Sequence, residues 1–395
     1  VASKVIASLV ALIGADTSGF ESGLGRVQGG LGGVITGLGT LAVATGLAFG
    51  AGQAISGAAE FESTLKNIQS VTGQTGTEIN GLAQDLLNIG ANSVAGPQAI
   101  AAAYYDIAGG VADASVRMAT LQAAQALSEA GQADLGASTK GLISVMNAYG
   151  FSANEAMFAS DVFTKTVGMG VGTMDEFVGA MSPLAGLANT AGVKFDNLGA
   201  MMAYMTTKGT SASQSATQIK AAMVALLNPN EKMKAALKAM GVESGSAALQ
   251  MYGLEGTLGR LDIAMGGSTD AMAAAMGSTE ALQAAVAING AGYEEFLGTF
   301  QDTMTGVTDA ARGVQLESFN AQWGILQNTL SAVATGVGLM VLPALTALAG
   351  GVRGMIDDVQ KLGLGGALEK WFNAGVAWLR DTAPIVFRGA LSAAV

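Results

Sequence analysis

From Val27 to Ala59 the chain carries no ionisable side chain, and from Ser318 to Val352 it again carries none. A segment without charge over 33 residues cannot present an ordinary hydrated face, so both runs must be covered by something. Across all 395 residues the charged fraction is only 12%, while the hydrophobic set reaches 50% and glycine fills 57 positions. Ordinary soluble domains carry about 25% charge. The length suits two or three domains and a sizeable core, yet so few charges cannot cover a large wetted surface. Either the chain buries itself against copies of itself or an enclosing structure, or part of it resides in a bilayer. Both outcomes imply an assembly.

The net charge of −11 repels a phosphate backbone, so specific nucleic-acid binding is not expected. Cysteine and histidine are both absent, which removes disulfides, thiol nucleophiles, imidazole bases and ordinary zinc sites. Most common hydrolytic chemistries are thereby excluded, a carboxylate pair brought together by the fold stays open, and the expectation is no enzyme, no cofactor and no metal. Lys4 and the apolar run Val5 to Ile13 resemble a signal peptide slightly, but Gly14-Ala15-Asp16 offers no small-x-small cleavage site. A short ordered strand or helix is the better reading there.

After residue 13 strand signals are rare, and the helix formers Ala, Leu, Met, Gln and Lys recur between glycines. The expected fold class is all-α: Gly-capped helical hairpins in an elongated assembly, with two apolar Gly-rich helical segments. Capping boxes, in which a hydroxyl accepts an early N–H and a Glu or Gln reaches back, are spelled at Ser18 to Glu21, Thr75 to Glu78, Ser152 to Glu155, Thr173 to Glu176 and Ser211 to Gln214. Asn228-Pro229 with Glu231 reads as another start, with proline at the first helical position. Gly150-Phe151, Gly192-Val193 and Gly241-Val242 read as left-handed helix stops. Asn147-Ala-Tyr-Gly150-Phe151 recurs 42 residues later as Asn189-Thr-Ala-Gly192-Val193, followed at matching offsets by Phe163-Thr164-Lys165 and Met205-Thr206-Thr207. The expectation is a repeat of helical hairpins, against the competing reading of chance in a chain rich in Ala and Gly.

The chain divides into an opening segment (1–26), an apolar Gly-rich helix (27–59), a helical core (60–317), a second apolar helix (318–352) and an amphipathic C-terminal region (353–395). Gly29 to Ala51 has only Thr36, Thr40 and Thr45 as polar side chains, and about 20 such residues cross a bilayer. Gly29, Gly33 and Gly37, and likewise Gly46 and Gly50, fall every fourth residue, leaving a helix face open to close packing. Leu330 to Val352 is the second candidate span, interrupted by Pro343 and preceded by Trp323, a residue type that favours membrane interfaces. Gly33, Gly37, Gly46, Gly50, Trp323, Gly336 and Pro343 are thus the candidate helix-packing or membrane-insertion residues. Burial in an oligomer is the alternative to lipid. Past Val352, Trp371, Phe372 and Trp378 alternate with Lys370, Arg380 and Arg388.

Several chemical spellings fail on their surroundings. Gly37-Leu-Gly39-Thr-Leu-Ala42 imitates a dinucleotide loop without a preceding strand. Ser63-Thr-Leu-Lys66 has the spacing of an activated serine but lacks its companion motifs, and reads as a solvated helix face. Glu294-Glu295 and Asp357-Asp358 are adjacent carboxylates, which point about 100° apart on a helix. Met201, Met202 and Met205 are expected to fill core gaps.

The order of motifs resembles the phage tail tape-measure, or minor tail, protein family. Leu12-Ile-Gly-Ala-Asp16-Thr-Ser-Gly-Phe20-Glu-Ser-Gly-Leu24 is similar to the start of that family's core, followed by the apolar stretch and Ala58-Ala-Glu-Phe61-Glu-Ser-Thr-Leu-Lys66. Tyr104-Tyr-Asp-Ile-Ala-Gly109, Leu127-Ser-Glu-Ala-Gly131, Val145 to Ala156, Ala185 to Val193, Lys208 to Ser213 and Leu237 to Val242 continue the likeness, which spans about positions 5 to 350. The resemblance implies a protein that sits in the tail-tube lumen in several copies, sets tail length, and leaves at infection to help form a DNA path through the host envelope. Expected partners are itself in three or six copies, tail-tube and tail-tip proteins, and the host membrane after ejection. Its expected places are the virion tail lumen and then the host envelope. The sequence has no long heptad ruler and no peptidase or muralytic module. One unbroken helix of this length would span about 590 Å, which the glycine caps forbid for the middle. The alternatives are a secreted pore-forming toxin or bacteriocin and, behind it, an envelope-degrading enzyme.

Overall fold

The computed structural model describes residues 51–336 apart from 291 and 303, together with 338, 339, 342 and 361. The chain separates into two compact units, one of Glu60–Ala334 and one of Val1–Ala59 with Thr335–Val395. In the second unit, residues 51–59 are helical. The first unit is a body of short helices, and the described residues contain no strand. The all-α expectation holds.

The body begins on α1 (Ala51–Thr72), which spans the boundary between the units, and α2 (Gly76–Ala91), α3 (Pro97–Gly110), α4 (Ala114–Gly131) and α5 (Leu135–Tyr149) follow. A 3-10 turn (Ala153–Glu155) leads to α6 (Ala156–Met169) and α7 (Met174–Met181), and a second (Ser182–Leu184) to α8 (Ala185–Thr190). The chain continues through α9 (Phe195–Thr207), α10 (Ala212–Leu227), α11 (Glu231–Ala239), α12 (Gly245–Ala264), α13 (Thr269–Met276), α14 (Thr279–Asn289), α15 (Tyr293–Gln301) and α16 (Val307–Leu316). A further helix, α17, covers residues 319–336.

Two helices form the centre because their sequences are apolar on more than one side. In α9, ten of 13 residues are buried, Met201, Met202 and Met205 among them, so these methionines fill the core as expected. In α4, ten of 18 are buried, most of them Ala or Leu, and α5, α6 and α16 pack around it. An aromatic cluster closes the gap between α5 and α9. Phe195 lies 5.2 Å from Phe163 and 5.5 Å from Tyr149 between ring centroids, and Tyr149 donates to the Val193 carbonyl at 3.0 Å.

The punctuation of the sequence explains where the helices stop. Phe151, Val193 and Val242 each donate their backbone N–H to a carbonyl five residues back, at 2.9 to 3.1 Å, and the preceding Gly150, Gly192 and Gly241 have φ of 66°, 71° and 78°. This left-handed exit suits glycine, which has no Cβ to clash. The boxes at Thr75, Thr173 and Ser211 open α2, α7 and α10, whereas the one at Ser152 opens a 3-10 turn. The box at Ser18 lies outside the described residues. One start needs correction: Asn230, not Asn228, caps α11, accepting from the N–H groups of Lys232 and Met233. Asn228 is already occupied as the C-cap of α10, its N–H bonded to Val224, and Pro229 falls outside the helix.

The similar pentapeptides share one bond. Asn147 donates to the carbonyl of Gly110 and Asn189 to that of Ala148, each at 2.7 Å, so each ties its helix to the last turn of an earlier one. An uncapped helix end leaves carbonyls without partners, and an amide three residues before the next glycine supplies one.

Candidate functional site

The residues singled out for chemistry in the sequence sit in ordinary surroundings. Lys66 pairs with Glu62 at 2.7 Å while Ser63 faces solvent, and Glu294 and Glu295 are both exposed. Among the described residues no three acidic, His or Cys side chains are grouped to hold a metal ion, and no helix is long and apolar enough to cross a membrane. Gly33, Gly37, Gly46, Gly50 and Pro343 lie outside the described residues, as do the Gly37 to Ala42 spelling and the Asp357-Asp358 pair. Trp323 is 49% exposed and stacks on the 79% exposed Phe319, with ring centroids 6.4 Å apart. Among the described residues, nothing lies within 4 Å of a Cβ placed on Gly336. Close approach through glycine occurs instead inside the body. A Cβ on Gly131 would come 2.6 Å from Met174, and one on Gly199 2.6 Å from Thr166.

The most elaborate polar constellation is a seam along which α16 and α17 meet α4, α6 and the 92–96 loop. Asp161, on α6, is 3% exposed, and its carboxylate accepts from the N–H of Gly306 at 2.8 Å and of Thr308 at 2.9 Å. It caps the start of α16 from another helix, a distant version of the usual N-cap. Four residues before α16 ends, Arg312 Nε donates to Glu129 Oε2, while Glu129 Oε1 accepts from Gln125 at 3.1 Å and from the Val94 N–H at 3.2 Å. Glu129 is nearly buried and Arg312 about a third exposed. Thr164 and Thr308 share a hydrogen bond at 2.9 Å, and Gln132 donates to Gln315 at 2.6 Å. Further along, Asn328 Nδ2 donates to the carbonyls of Ser93 and Val94, each at 2.9 Å, and Thr329 to that of Ala91 at 2.8 Å.

Sequence reasoning missed this seam. An acid four residues after Gln125 on the apolar face of α4 was a readable anomaly, but its partner stands 183 residues away. No local pattern connects the two.

A second polar group ties α9, α12 and α15 together. The helix α12 is interrupted at Gly253, whose φ of 70° and ψ of 179° are not helical, and Glu255 lies two residues beyond the break. Asn197 Nδ2 donates to Glu255 Oε1 at 2.6 Å, and Gln301 Nε2 donates to Asn197 Oδ1 at 2.9 Å. Glu255 Oε2 and the Tyr293 hydroxyl are buried without a hydrogen-bond partner. Burial pushes the Glu255 carboxyl above its ordinary value, against its own backbone N–H and the Asn197 amide, and burial also raises the Tyr293 hydroxyl well above its own. The surface nearby has a groove of about 530 Å³ between α9, α10 and α14, where Lys208 lies 4.6 Å over the Tyr204 ring and Gln218 donates to Gln283. None of these groups pairs a nucleophile with a base.

Over 210 residues the chain is 22% identical to the tape measure protein of Pneumococcus phage Dp-1; the alignment covers 53% of this chain and 18% of that protein, so this chain spans only a small part of the relative's length. No solved structure matches. Residues 84–282, which run from α2 into α14, match the family described as phage-related minor tail protein. That match takes in just over half of the 395 residues, and the chain belongs to the phage-related minor tail protein family.

Proposed function

We propose that this protein is a tape-measure protein of a phage tail. It occupies the tail-tube lumen in three or six copies, sets tail length while tube subunits polymerise, and leaves at infection to help form a DNA path through the host envelope. The observation that carries the reading is the family match on α2 to α14, supported by the likeness to a tape measure protein. The scarcity of charge favours a chain enclosed by other protein, and the net charge of −11 suits a lumen through which DNA must pass without sticking. Its partners are its own copies and the tail-tube and tail-tip proteins, then the host membrane, which Val27 to Ala59 and Leu330 to Val352 enter. Arginine at the centre of such a span costs about 2.5 to 3.5 kcal/mol.

Phage lacking the chain should make tails of irregular length or none, seen by electron microscopy. Phage carrying Val43→Arg and Met340→Arg should build tails of normal length yet deliver DNA poorly. Tails of normal length without the chain sink the tape-measure reading. Full delivery by the double variant sinks the membrane step alone.

A further inference from the structure

The two C-terminal helices of the body are held by a row of hydrogen bonds beside a modest apolar contact. Thr308, Arg312, Gln315 and Asn328, and Thr329 at the exposed edge, are all bonded across the seam, whereas Val314 is 69% exposed, Phe319 79% and Trp323 49%. Between residues 306 and 334 only Thr308 and Ala332 are buried. A helix docked by an apolar face loses that burial when it leaves. One docked by hydrogen bonds exchanges them for bonds to water, so the net loss is small.

We propose that residues 306–334 form a releasable strap, held on the body by the Asp161, Glu129 and Asn328 contacts and able to peel away as one piece. Gly306, with φ of 83°, is the pivot, since it stands at the start of α16 in a conformation that glycine leaves easily. Asp161 grips the start of α16 and Glu129, through Arg312, its middle, so losing either weakens the other's hold. The loop bonds of Asn328 and Thr329 then remain alone. Half-buried Leu316, Ile325, Leu326 and Leu330 supply the modest apolar hold that keeps the strap down. The strap contains the start of the charge-free run, residues 318–334, so its release frees that part of the run from the body. Detachment rests on the seam geometry; its use for bilayer entry rests on the proposed function above. Segments held this way open below the global unfolding free energy, as separate units.

The full chain offers a clean lock because it has no native cysteine. A Cβ built on Gly96 lies 3.1 Å from Asn328 Cγ, close to the roughly 3 Å between a Cβ and the far sulfur of a disulfide. In the Gly96→Cys/Asn328→Cys protein, oxidised and reduced forms share any strain at Gly96, so their difference reports the lock alone. Hydrogen exchange should show residues 306–334 opening together, at least tenfold faster than α9. Arg312→Ala should speed the strap a further tenfold with α9 unchanged, and oxidation of the double-cysteine protein should slow it at least tenfold. Exchange of the strap as slow as α9, acceleration of α9 in step with it, or no effect of oxidation overturns the proposal.

The same protein, added to dye-loaded phosphatidylcholine vesicles, should release dye at least tenfold faster when reduced than when oxidised. Equal release by both forms overturns the link between strap and bilayer. If neither releases dye while the exchange results hold, the strap stands and the membrane reading fails.

Discussion

Helix α9 and the strap of residues 306–334 are both helical, but they are held by different forces. Ten of the 13 residues of α9 are buried, and its partners reach it mostly through Leu, Met, Phe and Ala. The strap has two buried residues and a row of hydrogen bonds. Hydrophobic burial is non-directional and accumulates with area, so α9 is fixed by everything around it at once. The seam depends on a few named bonds with defined geometry.

The contrast is sharpest at two phenylalanines. Phe195 is 2% exposed and sits among the rings of Tyr149, Phe151 and Phe163. Phe195→Ala should destabilise the body by about 3 to 5 kcal/mol in urea unfolding followed by circular dichroism. A loss below about 1 kcal/mol would mean that α9 is not the packed centre.

A middle-sized effect should come from the caps. The Ser211 hydroxyl accepts from the Gln214 N–H at 3.2 Å, and Gln214 Oε1 accepts from the Ser211 N–H at 3.2 Å. Removing the hydroxyl in Ser211→Ala should cost about 1 kcal/mol, with faster amide exchange in the first turn of α10 as the local signature. No change in either measurement would make the box ornamental.

The smallest effect belongs to the strap. Phe319 is 79% exposed, and Phe319→Ala should shift body stability by no more than about 0.5 kcal/mol in the same urea titration. A loss comparable with that of Phe195→Ala would erase the distinction between the two regions, because it would show the strap's outer face to be packed.

The helix ends were legible because capping chemistry is local. Thr75 with Glu78, and Ser211 with Gln214, complete their bonds within four residues, and Gly150 and Gly192 need only the backbone conformation that glycine allows. Asn228 shows where local reading stops. Two asparagines within three residues can each cap a helix, and the choice fell to Asn230 because α10 runs to Leu227 and takes Asn228 as its own end.

The sequence by itself determined the class of this protein: an all-α chain without cysteine or histidine, poor in charge, and similar in its order of motifs to a phage tail family. Helix starts, helix stops and the core methionines followed from neighbouring residues. Tertiary structure alone decided that Asp161 caps a helix 145 residues away, that Glu129 meets Arg312, and that Phe319 and Trp323 point outward. The physical reason is range. Capping and periodicity act across one or two turns, whereas a buried carboxylate accepts whichever donor the fold delivers, and that donor is fixed only when distant helices have packed.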